Sequence, residues 1–138
     1  DSVFVWARRT DKTVETVLPT TEQYLEQIEK CKEVNRVFIQ TDDKEVAEQF
    51  SNVNDARFVI LPDLPLAYNN QIGFHSNMNA IPLRVFELEY KMSKVEYLQT
   101  FLALTYFAAS CKYYIGYPGN LTTMVPLIRR SFDNCFLF

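Results

Sequence analysis

Short apolar runs of strand length alternate along the chain with segments whose apolar residues recur at helical intervals. Val3, Phe4, Val5, Trp6 and Ala7 form the first run, after which the composition changes abruptly to Arg8, Arg9, Thr10, Asp11 and Lys12. A buried strand therefore delivers a charged cluster at its C-terminal end. Residues 13–19 read as a loop carrying Glu15. Thr20 with Gln23 has the spacing of a capping box, and Tyr24, Leu25, Ile28 and Cys31 then predict a helix to about Glu33. Residues 36–40, Arg-Val-Phe-Ile-Gln, form a second β-branched and aromatic run that ends in Thr41-Asp42-Asp43. Asp42 can cap the next helix, with Glu45 three residues on and Val46, Ala47 and Phe50 as its apolar face. Residues 51–55 break that helix, and residues 57–61 make a third strand. Strand, helix, strand, helix, strand implies parallel pairing through right-handed crossovers, hence an α/β, doubly wound, Rossmann-like sheet.

The second half is less regular. Residues 62–82 hold three prolines and four asparagines and show no usable periodicity, which in a compact domain marks a functional or mobile segment. Residues 83–90 fit strand or helix, with Leu83, Phe86 and Tyr90 on one helical face tilting the reading to helix. Ser93 with Glu96 is another capping box, opening a helix to about residue 110 whose apolar residues nearly surround it, a pattern that predicts deep burial. Residues 112–117 give the fourth strand, and Pro118-Gly119-Asn120 a tight turn into a last helix over residues 121–130. Pro126 lies inside that span and predicts a distortion or a later start. The closing Cys135-Phe136-Leu137-Phe138 looks like one more strand.

With 138 residues the chain fits one domain with an ordinary core, and 48% apolar with 22% charged residues is the balance of a globular protein. A net charge of -3 and a pI near 5.2 argue against a general nucleic-acid binder, which needs a clustered positive face. Any phosphate site must be local. No apolar run approaches the roughly 20 residues that cross a bilayer, and no basic stretch precedes an apolar one at the start. Cys31, Cys111 and Cys135 are widely spaced, without a CxxC or a nearby histidine, so they read as free thiols and not as zinc ligands or a disulfide framework. The absence of an initiating Met and the apolar last run point to a domain cut from a longer protein.

Three strand ends carry polar or flexible groups: Arg8 to Lys12, Thr41-Asp42-Asp43, and Gly116 to Asn120. In a doubly wound sheet these ends can share one rim, where ligands bind. Tandem guanidiniums suit phosphate, carboxylates suit ribose hydroxyls or the N–H edge of guanine, and the turn at Gly119 offers backbone N–H groups at a helix N-terminus. Together they describe a nucleoside diphosphate site. Each part also has a plainer use: Arg8, Arg9 and Asp11 as a surface ion cluster, Asp42 as an N-cap, and His75 as an exposed loop residue. No Walker A sequence or GxGxxG turn is present, which sets aside P-loop NTPases and ordinary NAD enzymes. Asn120-Leu121-Thr122 is formally a glycosylation sequon, but a glycan there would cover the site.

Arg8-Arg9-Thr10-Asp11-Lys12 resembles the arginine-rich motif of the α1,6-fucosyltransferases. The resemblance continues through residues 18–24 and through Val37-Phe38-Ile39-Gln40-Thr41-Asp42-Asp43, weakens beyond Leu61, and returns in general pattern over residues 111–130. It implies the C-terminal, donor-binding half of a GT-B glycosyltransferase that uses GDP-fucose as donor substrate, with no metal, and that moves fucose to a glycan acceptor with inversion. By that resemblance Arg8 and Arg9 hold the diphosphate, Arg8 being the more critical; Asp42 and Asp43 address the nucleoside; Gly119 and Asn120 form the phosphate-side turn; and Lys12 and an acid shortly after it face the reacting centre, Glu15 serving as that base through a one-residue shift. It also implies a missing N-terminal domain as partner, and the Golgi lumen for a eukaryotic secretory member or the cytoplasm otherwise. Three departures stand out: Trp6 where the family has a histidine, Thr16 opposite the family's catalytic acid, and Leu104 near an acidic nucleoside contact. A catalytically inactive nucleotide-sugar-binding or assembly module is the alternative that Trp6 and Leu104 favour, while the intact Arg8 to Lys12 cluster favours the enzyme.

Overall fold

In the computed structural model, which describes residues 1–8, 18–61, 91–117 and 119–138, nine elements follow in the order β1 (Ser2–Ala7), α1 (Thr21–Lys30), β2 (Arg36–Thr41), α2 (Lys44–Ser51), β3 (Phe58–Ile60), α3 (Lys94–Ser110), β4 (Tyr113–Gly116), α4 (Asn120–Arg129) and β5 (Cys135–Leu137). The strands form one sheet in the order β3-β2-β1-β4-β5, with every neighbouring pair parallel. This is the predicted α/β doubly wound, Rossmann-like arrangement. Its centre is β1, whose Val3 to Trp6 pair with β2 on one side and β4 on the other. The chain runs outward from β1 through β2 to β3, then crosses back to β4, so the winding reverses between β1 and β4.

Side chains alternate across the strands and build two cores. Val3, Val5, Ala7, Val37, Ile39 and Ile115 meet Tyr24 and Ile28 of α1 and Val46 and Phe50 of α2. On the other face Phe4, Trp6 and Tyr114 meet Tyr97, Leu104 and Ala108 of α3 and Val125 of α4. Full burial of each large apolar side chain in these layers is worth about 1.5–3 kcal/mol. The rings interlock: Phe4 stacks on Tyr114 at 6.3 Å, and Trp6 meets Phe101 edge-on at 5.8 Å.

The capping boxes predicted at Thr20 with Gln23 and at Ser93 with Glu96 both form, each with its side chain on the backbone and the reciprocal bond. α1 stops at Lys30, short of the predicted Glu33, because Cys31 leaves the helical conformation. The cap of α2 is Asp43 and not Asp42: Asp43 Oδ1 accepts from the backbone N–H groups of Glu45 at 2.8 Å and Val46 at 3.4 Å. Thr41 causes the offset, since its Oγ1 accepts the Asp43 N–H at 3.1 Å and holds the turn one residue later.

Deep burial of α3 is not observed. Tyr97, Leu104 and Ala108 enter the core, whereas Val95, Leu98, Leu102 and Tyr106 are 44–63% exposed. An outer-layer helix shows the sheet a single stripe, however apolar its remaining surface. α4 starts at Asn120, no later than predicted, and continues through Pro126 to Arg129. The three cysteines are free, as expected; burial pushes the Cys31 thiol up to about 11 and also raises that of Cys111. Residues 62–82 and 83–90, with His75, lie outside the described residues.

Candidate functional site at the carboxyl rim of the sheet

The strand ends that carry polar groups in sequence are neighbours in space. The last registered pair of β1 and β2 is Ala7 with Thr41, and the next residue on each strand is Arg8 and Asp42. Alternation places both on the face of Phe4, Trp6 and Phe38, the α3 and α4 side of the sheet. There Arg8 Nε lies 3.6 Å from Asp42 Oδ2, with the two side chains only 16% and 14% exposed. The carboxylate holds the guanidinium at the rim of the sheet.

The Thr41-Asp42-Asp43 run divides its work among three residues. Thr41 is buried and sets the turn, Asp42 meets Arg8, and Asp43, 3% exposed, spends its carboxylate on α2. Asp42 thus stands at Arg8, while Oδ1 of Asp43 is engaged in capping α2.

On the other side of β1 is β4, and α4 begins just beyond it. Its N-cap is Gly119, in extended backbone at φ 175° and without a side-chain capping bond. A Cβ at Gly119 would meet Tyr117 O at 3.9 Å, ordinary contact, so neither strain nor crowding from the described residues demands glycine there. The first turn is braced from beneath. Tyr114 Oη lies 3.0 Å from Thr122 Oγ1, and Thr122 Oγ1 donates to the Tyr117 carbonyl. Gly116 makes room for this brace, since a Cβ there would fall 2.5 Å from the Tyr114 phenol oxygen. Burial drives the Tyr114 hydroxyl well above the usual tyrosine range, so it stays protonated. The position of α4 relative to the rim is thus set by a buried tyrosine that sequence reasoning passed over as a strand aromatic.

Gln40 is a second residue missed from sequence. It pairs with Trp6, is fully buried, and leaves the sheet on the face of Asp42, one pleat before it. Its Nε2 donates to Thr41 O at 3.1 Å, while its Oε1 accepts no hydrogen bond among the described residues. The signal was a polar side chain at an inward strand position, two residues from Phe38 and two from Asp42.

Of the residues singled out from sequence, Arg8 and Asp42 are brought together, Gly119 and the backbone of Asn120 start α4, and Asp43 is diverted to capping. Arg9, Asp11, Lys12, Glu15 and Thr16 lie outside the described residues. Trp6 and Leu104, where the fucosyltransferase resemblance breaks, are 6% exposed and belong to one core. Among the described residues no group of three or more His, Cys, Asp or Glu side chains is placed to hold a metal ion, and no helix is long and apolar enough to cross a membrane. No protein-family model, curated protein or solved structure matches the chain.

Proposed function

We propose that the chain is the donor-binding domain of a fucosyltransferase-like glycosyltransferase and takes GDP-fucose at the carboxyl rim. The observation that carries this reading is the Arg8–Asp42 pair beside the point where the winding reverses, between β1 and β4, with the uncapped start of α4 across β1. Open α/β sheets bind ligands in the crevice at such a point, and a guanidinium and helix N-terminal N–H groups each suit a diphosphate. Arg8 holds the diphosphate with Arg9 in support, and Asp42 addresses the nucleoside. In transfer the acceptor hydroxyl oxygen attacks the anomeric carbon of fucose, the bond from that carbon to GDP breaks, and Glu15 takes the hydroxyl proton. Arg8 stabilises the charge on departing GDP, and Lys12 faces the reacting centre. The roles of Arg9, Lys12 and Glu15 rest on the sequence resemblance alone.

Calorimetric titration with GDP, GDP-fucose, UDP and ADP tests the reading. Binding of GDP and GDP-fucose in preference to UDP and ADP is expected; equal binding of all four, or none, overturns it.

Trp6 favours a second reading. Where the resembled family has a histidine, this chain has an indole packed edge-on against Phe101 and only 6% exposed. A nucleotide-sugar-binding or assembly module without catalysis fits that change. The full-length parent separates the two readings: as an enzyme it transfers fucose and loses roughly 10²-fold or more on Glu15→Gln, whereas as a module it binds GDP without transfer.

A further inference from the structure

We propose that Gln40 is a specificity-determining residue of the rim site, whose buried carbonyl accepts a hydrogen bond from a donor group of the bound nucleoside. This rests on the nucleotide reading of the site and adds to it a residue that neither the resemblance nor the charge pattern singles out. A buried amide oxygen without a partner is costly, so it calls for a ligand, a water or an ion. The amide cannot simply be turned over. Nε2 already donates to Thr41 O at 3.1 Å, and reversing the group would set two carbonyl oxygens against each other.

Its placement favours a ligand. Gln40 stands one pleat beneath Asp42 on the same face of β2, flanked by Trp6 of β1, directly inward of the Arg8–Asp42 pair. A nucleotide with its phosphates at Arg8 and its nucleoside over β2 brings base or ribose donors to this position. With Nε2 already bonded to Thr41 O, the group of Gln40 left without a partner among the described residues is its carbonyl, which accepts from N–H or O–H groups. The chemistry is shared by the guanine amino group and by the ribose 2′-hydroxyl, and both are neutral donors matched to a neutral acceptor. Leu104 supplies no such acceptor from α3, being apolar and buried on this same face.

The proposal has a signature of opposite signs. An acceptor that waits for a ligand weakens the empty protein and strengthens the complex, so Gln40→Met should leave the ligand-free thermal midpoint unchanged or higher while lowering GDP affinity by about tenfold. Titration of the 138-residue chain and of Gln40→Met with GDP, inosine diphosphate and 2′-deoxy-GDP closes a cycle between protein and ligand changes. The unsubstituted chain is expected to bind one of the two altered nucleotides about tenfold more weakly than GDP, and Gln40→Met to abolish that difference. Loss confined to inosine diphosphate identifies the guanine amino group as donor, and loss confined to the deoxynucleotide identifies the ribose hydroxyl. If the unsubstituted chain binds all three equally, the assignment fails whether or not the variant folds. Should GDP bind normally to both proteins while the variant melts lower, Gln40 is a structural amide served by internal water. Failure of the unsubstituted chain to bind GDP at all overturns the nucleotide reading, and this assignment with it.

Discussion

At the scale of single residues, the site depends on where two adjacent strands end. Successive residues at a strand end point to opposite faces, so Arg8 and Arg9 do not converge equally on one anion unless the backbone turns between them. Arg8 takes the face of Asp42, as their 3.6 Å approach shows. Arg8→Ala is therefore expected to weaken GDP binding by roughly tenfold to a hundredfold, the scale of a charge-assisted hydrogen bond, and to lower stability by about 1–3 kcal/mol, because it leaves the largely buried Asp42 carboxylate without this cation. Titration and chemical denaturation of the same variant check both. If Arg8→Ala leaves GDP affinity intact while Arg9→Ala removes it from a folded domain, the two roles are reversed. Gly116 makes a second expectation available. Its missing Cβ accommodates the Tyr114 ring, with the phenol oxygen, Cζ and one ring-edge carbon all within 2.8 Å of where a Cβ would be. The ring is fully buried and tied to Thr122, so it cannot swing clear cheaply. Gly116→Ala should cost about 1–3 kcal/mol, as overpacking does, read from the denaturation midpoint. A midpoint that does not move would show the brace under α4 to be loose.

At the scale of elements, the caps and faces were unequally legible. Thr20 and Ser93 declared their helices because a capping box is a local motif whose partner is three residues away. Asp42 and Asp43 could not be told apart in that way. The choice is made by the Thr41 hydroxyl and by Arg8 on the neighbouring strand, a contact across 34 positions of sequence. Asp43→Ala should lower stability by about 1 kcal/mol, while Asp43→Asn, which retains an acceptor, should cost less. Equal losses in denaturation would deny the cap. The burial of α3 was misread for a different reason: from Tyr97 to Ser110 the helix carries no charge, and periodicity cannot choose a face when every face is apolar. The structure makes that choice through Leu104. Leu104→Ala is expected to cost about 2–5 kcal/mol, whereas Leu102→Ala, at a position 44% exposed, should cost well under half as much. Similar losses at both would show that the outer face of α3 is covered in solution.

At the scale of the whole molecule, the strand order was legible because each apolar run was followed by a capped helix, which forces parallel crossovers. The two ends of the resulting sheet differ in chemistry. At the amino ends Lys112 pairs with Asp1 at 3.4 Å and Glu33 at 3.2 Å, so its charge is shared between two carboxylates. The carboxyl ends bring Arg8, Asp42, Gln40 and the start of α4 around the reversal of winding. Spacing in the sequence could say that these groups follow strands, but only the order β2-β1-β4 makes their strands adjacent. Backbone amide shifts of the isotopically labelled chain titrated with GDP test this placement most directly. The expected result is a set of saturable shifts at Ala7, Arg8, Thr41, Asp42 and Gly119, with Glu33, Arg36 and Lys112 at the opposite end unmoved. Saturable shifts confined to that opposite end, or the absence of any, would contradict a nucleotide site at the carboxyl rim.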